Sequence, residues 1–158
     1  MTKAEILGGV PNSIIVSTSQ ATPSTISGMV LVVERGLELQ VDNSIKNITG
    51  RTINLFGTIS YHPDNTSATS VLNMCVQRST DNGVSWVNEP FSGFTVEVAN
   101  SNESYSTKST GISGLNDSEL FRFVFYETGT GGITLDPTNF QMEGNPVDGA
   151  SLSIHLTE

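Results

Sequence analysis

The sequence predicts an all-β fold, a sandwich of two antiparallel sheets with jelly-roll-like connections, preceded by an extended N-terminal arm. Segments in which apolar and polar residues alternate recur along residues 29–158, and this period is typical of half-buried strands. Ser, Thr and Asn supply 51 of the 158 residues, a composition that favours strands and turns over helices. The connections are too short to hold crossover helices, so we expect antiparallel pairing.

Residues 1–28 are expected to form the arm, because they carry prolines, glycines and a run of Ser, Thr and Gln without lasting periodicity. Their continuous apolar run is Ile14, Ile15 and Val16. Such a run can add as a strand to a sheet of this chain or of a neighbouring subunit. The alternative is an arm that frays in solvent. Under the first interpretation these three residues attach the protein to a larger particle, and residues 29–158 form the sandwich domain.

The longer predicted strands are, in order, 29–34, 37–41, 53–61, 71–78, 93–98, 119–127 and 151–158. Shorter candidates lie at 83–87, 104–108 and 132–135, which gives about ten strands and no helix. The first segment, MVLVVE, is apolar on both faces and is therefore expected in the middle of a sheet. Gly57 interrupts the third segment and indicates a bulge or a close backbone approach.

In the other alternating segments, one face is apolar and is expected to point to the core. These core-facing residues are Leu37, Leu39 and Val41; Ile53, Leu55, Ile59 and Tyr61; Leu72, Met74 and Val76; Phe94, Val96 and Val98; and Leu152, Ile154 and Leu156.

The segment 119–127 carries the strongest constraint, because both of its faces are apolar. One face holds Phe121, Phe123 and Phe125, and the other holds Leu120, Val124 and Tyr126 with Arg122. A sandwich strand normally exposes one face to water, so something must cover the second. A neighbouring subunit is the economical cover, and a loop or the arm of the same chain is the alternative. The second face is therefore a candidate oligomer interface, which His155 joins if the last strand meets a symmetry mate. The alternative for His155 is a histidine that is simply solvated.

The sharpest local motif is STDNGVSW at residues 79–86. It resembles the Asp-box, S-x-D-x-G-x-[ST]-W, of sialidase-type propellers and other β proteins. Asn82 and Gly83 can adopt the positive backbone angles of a tight hairpin. A propeller would repeat the motif in every blade, whereas it occurs once here. We therefore expect a structural hairpin without sialidase chemistry, built on Ser79, Asp81, Gly83 and Trp86.

Charge and cysteine content exclude several kinds of partner and cofactor. Asp and Glu outnumber Lys and Arg by 16 to 7, giving a net charge of -9, so nucleic acid and anionic membrane surfaces are poor partners. The single cysteine, Cys75, forms no internal disulfide, and the two histidines, His62 and His155, are 93 positions apart. No metal or other cofactor is therefore expected.

No combination of residues indicates catalysis. The acidic pairs Asp117 with Glu119 and Glu143 with Asp148 lack the pattern of a calcium loop, and solvated carboxylates are expected on a chain this acidic, with adventitious Ca²⁺ binding or a glycosidase pair as the alternatives. No G-x-S-x-G elbow is present. The glycine-rich run at 129–132 has no basic residue nearby, so we expect a loop and not a phosphate site. We do not expect an enzyme.

A Ser/Thr-rich arm, an acidic sandwich with an RSTDNGVSW hairpin, a phenylalanine-rich strand apolar on both faces and a short alternating last strand together resemble virion accessory proteins of tailed bacteriophages. These are capsid decoration proteins and head- or tail-fibre modules, whose jelly rolls are similar to the tumour-necrosis-factor-like fold. The resemblance implies a homotrimer with one sheet around the three-fold axis, an arm that engages a major capsid or other virion protein, and a structural role. The aromatic motifs of the vertebrate cytokines are missing, so receptor signalling is not implied.

Under this resemblance the protein is a virion component made in the host cytoplasm. The apolar run near the N-terminus is too short for a signal peptide, and no run approaches the roughly 20 apolar residues of a membrane span. The alternative function is a host-surface glycan-binding module. The aromatic side chains that could stack on a sugar are Trp86, Tyr61 and Tyr105.

Overall fold

The computed structural model describes residues 2–66, 68–99, 106–129, 131–137 and 139–158. Its strands are β1 (Glu5–Val10), β2 (Ile14–Ile15), β3 (Ser24–Thr25), β4 (Val30–Arg35), β5 (Leu37–Leu39), β6 (Ile45–Asn47), β7 (Ile53–Tyr61), β8 (Pro63–Asn65), β9 (Ser70–Ser79), β10 (Val87–Asn88), β11 (Phe94–Val98), β12 (Ser106–Leu115), β13 (Leu120–Thr128), β14 (Ile133–Leu135), β15 (Asn139–Met142), β16 (Asn145–Asp148) and β17 (Leu152–Thr157). The described residues include no helix, and so none that is long and apolar enough to cross a membrane.

Two antiparallel sheets form the sandwich. The five-stranded sheet has the order β12-β7-β17-β1-β4. The seven-stranded sheet has the order β10-β9-β13-β6-β5, with β11 also pairing with β9 and β3 also pairing with β13. Two small sheets, β2-β14-β8 and β15-β16, complete the pairing. The predicted all-β antiparallel sandwich is confirmed.

The core lies between the two large sheets. Strand β13 turns three aromatic rings into it, and Phe121, Phe123 and Phe125 are each at most 2% exposed. The rings of Phe121 and Phe123 meet edge to face, with centroids 6.1 Å apart. Tyr61 of β7 stacks on Phe94 of β11 with centroids 5.8 Å apart, so this aromatic pair links the five-stranded sheet to the seven-stranded sheet.

Most of the long strands lie within one residue of their predicted positions. Strands β4, β7, β9, β11, β13 and β17 occupy the segments predicted at 29–34, 53–61, 71–78, 93–98, 119–127 and 151–158. Strand β5 is shorter than predicted, and Val41 is fully exposed in the turn that follows it. The candidate at 83–87 contributes only Val87 to a strand, and the candidate at 104–108 is the described start of β12, which continues to Leu115.

The N-terminal segment differs most from its predicted role as an arm. Strand β1 lies between β17 and β4, with Ile6 opposite Leu156 on one side and opposite Glu34 on the other. Ala4, Ile6 and Val10 are completely buried. The prediction of a separate arm at residues 1–28 is therefore wrong, because residues 5–10 form an inner strand of the sandwich. Gly8 and Gly9 hide this strand from the sequence pattern, since they supply no side chains to show the alternation.

The remainder of the N-terminal segment runs along the same molecule. Strand β2 pairs with β14, and β3 pairs with β13 through Thr25 opposite Val124. An isolated parallel bridge joins Ser17 to Tyr126. Main-chain contacts therefore hold residues 14–25 against their own sandwich. Of the two sheets that the sequence allowed for the added strand, one of this chain and one of a neighbouring subunit, the structure shows the former.

Strand β4 also corrects a prediction. Its apolar faces indicated a place in the middle of a sheet, whereas it is the edge strand next to β1. Val30 and Val32 are 58% and 75% exposed. The apolar pattern alone cannot distinguish a strand covered on both faces from one that leaves valines in solvent.

Candidate functional site

Residues 79–86 form the predicted hairpin loop between β9 and β10. The Ser79 hydroxyl donates to Asp81 Oδ1 at 2.7 Å and accepts the Gly83 amide at 2.8 Å. The Ser85 amide donates to the same Asp81 oxygen at 2.8 Å. Asn82 and Gly83 have φ values of 58° and 87°, the left-handed conformation that the turn requires. The hydrogen bonds from Ser85 hold the pKa of Asp81 at about 2, so the carboxylate is occupied in shaping the loop.

The last residue of this loop covers the second face of β13. The Arg122 guanidinium lies 4.0 Å from the centroid of the Trp86 ring, which is a close cation–π stack. A Cβ at Gly83 would stand 3.7 Å from Leu120 Cδ1, so the loop also approaches Leu120. The chain's own hairpin therefore supplies part of the cover that the sequence assigns to a neighbouring subunit.

The predicted interface residues do not form one exposed surface. Leu120 and Val124 are 4% and 3% exposed in the single chain, while Tyr126 is half-buried. His155 is on β17, in the other sheet, where its Nε2 lies 3.1 Å from Glu5 Oε1. The grouping is corrected for a physical reason. Trp86 stacks on Arg122 of β13, and Gln20 and Pro23 line a cleft beside Val124 and Tyr126, whereas a pattern of apolar residues does not say which part of the chain lies next to them.

The predicted attachment residues are also mostly occupied. Ile14 and Val16 are 6% and 4% exposed and belong to the core. Ile15, by contrast, is 80% exposed. Of the three residues, Ile15 is the one whose side chain an external partner can contact.

The acidic candidates have structural partners. Asp117 Oδ1 accepts the Gly50 amide at 2.8 Å. Glu119 accepts the Asn116 amide at 2.9 Å and lies 3.6 Å from Arg78. Glu143 is exposed in the turn between β15 and β16. The side chain of Asp148 is not among those that the structure describes. Among the described residues there is no cluster of three His, Cys, Asp or Glu side chains that could hold a metal.

The described histidines, glycines of the glycine-rich run and aromatic candidates do not come together in one site. His62 is buried, and its Nδ1 lies 3.1 Å from the Asp136 carbonyl oxygen. The described glycines of the run at 129–132 lie between β13 and β14, as predicted. Tyr61 is completely buried against Phe94 and cannot stack on a sugar. Trp86 is engaged by Arg122, and Tyr105 lies outside the described residues.

A surface of uncharged residues, which the sequence does not predict, lies on the β12 and β7 side of the five-stranded sheet. We call it the neutral face and define it by the outward residues Asn54, Phe56, Thr58, Ser60, Thr107, Ser109, Gly111 and Ser153. It is bordered on β17 by His155, which is opposite Thr58 and contacts Glu5. Phe56 stands in it, 61% exposed, opposite Gly111. A Cβ at Gly111 would lie 2.9 Å from Phe56 Cδ1, so the ring lies over the glycine. The signal was a phenylalanine at a polar position of the alternating segment 53–61.

A second surface feature is a cleft of about 450 Å³ on the outer side of the seven-stranded sheet. Its floor consists of residues from the paired strands β9 and β13, with Asn73 opposite Tyr126 and Cys75 opposite Val124. The described residues that line it include no charged side chain. The segment at 20–23 forms one wall, and Asn88 with residues 93–95 forms the other. We call this feature the outer cleft.

The topology and the paired sheets define a jelly roll of the tumour-necrosis-factor-like class. Solved structures of this class superpose on almost the whole chain: Eiger, a tumour necrosis factor from S. frugiperda, has a TM-score of 0.56 at 10% identity, with 99% of this chain and 90% of that chain covered. Murine APRIL has TM-scores of 0.52 at pH 5.0 and 0.51 at pH 8.0, at 10% and 11% identity, with 99% of both chains covered. No protein-family model matches the sequence, and no curated protein is similar to it in sequence. The likeness is one of fold.

Proposed function

We propose that the chain is a non-enzymatic structural module that acts as a homotrimer on a virion surface, as a capsid decoration or fibre-type protein. The trimer would bring the neutral faces of three copies together around the three-fold axis. The virion assignment rests on the sequence resemblance, and its partner would be a major capsid or other virion protein.

The observation that carries the homotrimer is the uncharged β12 and β7 side of the five-stranded sheet in a chain whose net charge is -9. The charged groups of the same sheet face, Glu5 and Arg35 with His155, lie on the β17, β1 and β4 side, where Glu5 contacts both of the others. Identical copies carry the same charges, so an acidic patch at their interface would repel itself. Ser, Thr and Asn side chains avoid that repulsion, and the exposed Phe56 ring supplies an apolar anchor. Self-association on this face also leaves the outer cleft, on the opposite side of the sandwich, open to solvent.

Sedimentation equilibrium tests the proposal. We expect the wild-type mass to be three times that of the chain, and we expect Phe56→Asp to give folded monomers, because three carboxylates would be desolvated at one interface. Val84→Asp is the matched control, since Val84 is 85% exposed in the hairpin of the other sheet, and it should stay trimeric. A wild-type monomer at micromolar concentration would overturn the trimer.

The virion assignment has its own test. Particles from the source should carry this chain after purification through a density gradient, at a copy number that is a multiple of three. Particles that contain none of it would refute the assignment and leave the trimer intact.

A second candidate function, recognition of a host-surface glycan, is supported by the outer cleft. Its lining side chains are uncharged, several of them can form hydrogen bonds, and its position leaves it accessible in the proposed trimer. A printed array of host glycans tests this function directly.

A further inference from the structure

We propose that the outer cleft is a binding site for a neutral saccharide of one or two residues, recognised through the side-chain amide of Asn88 and the side chain of Tyr126. This inference rests on the second candidate function and assigns it a place and a ligand class. At about 450 Å³, the cleft is within the range of natural small-ligand sites.

A chain of hydrogen bonds fixes which end of the Asn88 amide is engaged within the protein. Arg122 can only donate, and its Nε and one terminal nitrogen lie 3.0 and 2.8 Å from Gln77 Oε1. The nitrogen of the Gln77 amide therefore faces the other way and donates to Asn88 Oδ1 at 3.1 Å. Because the Oδ1 atom of Asn88 accepts this hydrogen bond, its Nδ2 group remains as a possible donor to a ligand. In the described part of the chain this group has no hydrogen-bond partner.

The Tyr126 hydroxyl is a second unused polar group. It has no hydrogen bond to any described residue, whereas the neighbouring Asn73 amide is engaged by Thr128 Oγ1 at 2.9 Å. Tyr126 and Asn88 both line the cleft, with Cys75 and Val124 in its floor. The cleft thus combines separated polar groups with apolar side chains such as Val124, which suits a ring that has hydroxyls at its rim and C–H groups on its faces.

The charge of the cleft selects among ligand classes. The described lining residues carry no cationic side chain, and the guanidinium of Arg122 is already engaged by Gln77 and Trp86. A sialic acid or a phosphorylated sugar would find no counter-ion on a chain with a net charge of -9. A neutral saccharide incurs no such repulsion, and its hydroxyls can both donate and accept.

The wall at 20–23 is held in place before any ligand binds. The Ser17 hydroxyl donates to the Thr22 carbonyl oxygen at 2.9 Å, and the Ser17 amide donates to Ser24 Oγ at 2.8 Å. Pairing of β3 with β13 fixes the segment against the sheet. A preformed wall reduces the ordering cost of binding.

The single cysteine makes the cleft testable on the unmodified protein. Cys75 lines the floor, and burial raises the pKa of its thiol, so alkylation by iodoacetamide should be slow enough to follow by mass spectrometry. The probes are lactose, maltose and N,N′-diacetylchitobiose, with sialic acid as the anionic comparison and glycerol as the polyol control. We expect at least one neutral disaccharide, at ten times its dissociation constant, to slow alkylation about tenfold. Sialic acid and glycerol should have no effect.

Variants separate the cleft from the wider function. On a printed glycan array and by titration with the best disaccharide, Asn88→Asp should lower affinity at least about tenfold, because it keeps the shape and removes the Nδ2 donor. Tyr126→Phe removes the hydroxyl alone. Gln40→Ala, which deletes a surface amide between β5 and β6, is the control and should bind like the wild type. Circular dichroism establishes that each variant is folded.

Three results would count against the proposal. If the wild type binds no glycan on the array and none of the probes slows alkylation, both glycan recognition and the cleft assignment fail. If the array is positive but Asn88→Asp and Tyr126→Phe bind like the wild type, glycan recognition stands and the cleft assignment fails. Protection of Cys75 by sialic acid alone would overturn the neutral ligand class.

Discussion

Arg122 and Trp86 form a stack that joins a hairpin to the centre of the seven-stranded sheet, with the guanidinium carbon 4.0 Å from the ring centroid. The same guanidinium donates twice to Gln77. The stack therefore holds the hairpin loop of residues 79–86 against β13, and the hydrogen bonds to Gln77 also orient the amides that lead to Asn88.

Replacing Trp86 with Leu should lower the free energy of unfolding by about 1 to 2 kcal/mol, because the cation–π contact and part of the cover over Leu120 are lost. Urea denaturation measures the change. A double-mutant cycle with Arg122→Gln should show a coupling between the two residues. Strictly additive effects would mean that the stack contributes nothing of its own.

Replacing Gly83 with Val should cost about 1 to 3 kcal/mol of stability through backbone strain. Gly83 has a φ of 87°, and the atoms nearest to an added Cβ are 3.7 and 3.8 Å away, so crowding by the first side-chain atom is not the cause. Gly83→Asn, which tolerates a positive φ better, should cost less. Equal losses for the two variants by thermal unfolding would point away from strain.

Deletion of residues 1–10 should leave the protein unfolded. Strand β1 lies inside the five-stranded sheet, and its removal takes Ala4, Ile6 and Val10 from the core. Burial of each large apolar side chain contributes roughly 1.5 to 3 kcal/mol, against a total of about 5 to 15 kcal/mol for a domain. Ile6→Asp should have the same result by circular dichroism, whereas Leu7→Ser, on the half-exposed face of the strand, should fold. A folded deletion variant would restore the idea of a separate arm.

Replacing Arg51 with Gln should reduce stability at neutral pH and leave it almost unchanged near pH 2. Both terminal nitrogens of Arg51 contact the carboxylate of Glu158, which also accepts the Ala4 amide at 3.1 Å. The hydrogen bond from Arg51 lowers the pKa of Glu158 from 4.5 to about 2. A depressed folded pKa gives stability that is complete above the unfolded value and lost as the pH falls through the folded value.

The measurement is urea unfolding of the wild type and Arg51→Gln at a series of pH values from about 6 to about 2. The difference between the two proteins should shrink below about pH 4.5 and approach zero near pH 2. A difference that is independent of pH would show that Arg51 stabilises through its packing and not through Glu158.

Replacing Ile15 with Asp should leave the thermal unfolding midpoint unchanged, because the side chain is 80% exposed and surface substitutions usually change stability by less than about 0.5 kcal/mol. If the segment contacts a virion partner, the variant should be incorporated into particles less well than the wild type. Ile14→Asp is the contrast, since Ile14 is buried and the change should unfold the protein. Wild-type incorporation of Ile15→Asp would place the attachment elsewhere.

The predictable part of the fold is the part in which alternation is local. In strands such as β7 and β17, apolar residues alternate with polar ones within the strand itself, so the sequence predicts both the position of the strand and its buried face. Gly57 was correctly marked as a close approach: a Cβ there would stand 1.8 Å from the His155 carbonyl oxygen. Strand β1 was not predicted, because glycines occupy two of its six positions and interrupt the alternating pattern.

The candidate site was less predictable, because it depends on contacts between distant segments. That the second face of β13 needs cover follows from Leu120 and Val124, but the identity of the cover depends on where Trp86 and the segment at 20–23 come to rest. The outer cleft joins residues from near position 20 to position 126. Nothing in the local pattern of Asn88 distinguishes it from other asparagines in a chain that contains 13 of them.

The place of β17 between β1 and β7 has a consequence for biosynthesis. Residues near the two ends of the chain are direct neighbours, as in the pairing of Glu5 with Thr157, so the contact order is high and folding should be slow. While residues 152–157 are still inside the ribosome, β1 and β7 have a gap between them as wide as one strand. The nascent chain must remain without a completed five-stranded sheet until that last strand emerges, and during this interval it is open to strand exchange with other copies.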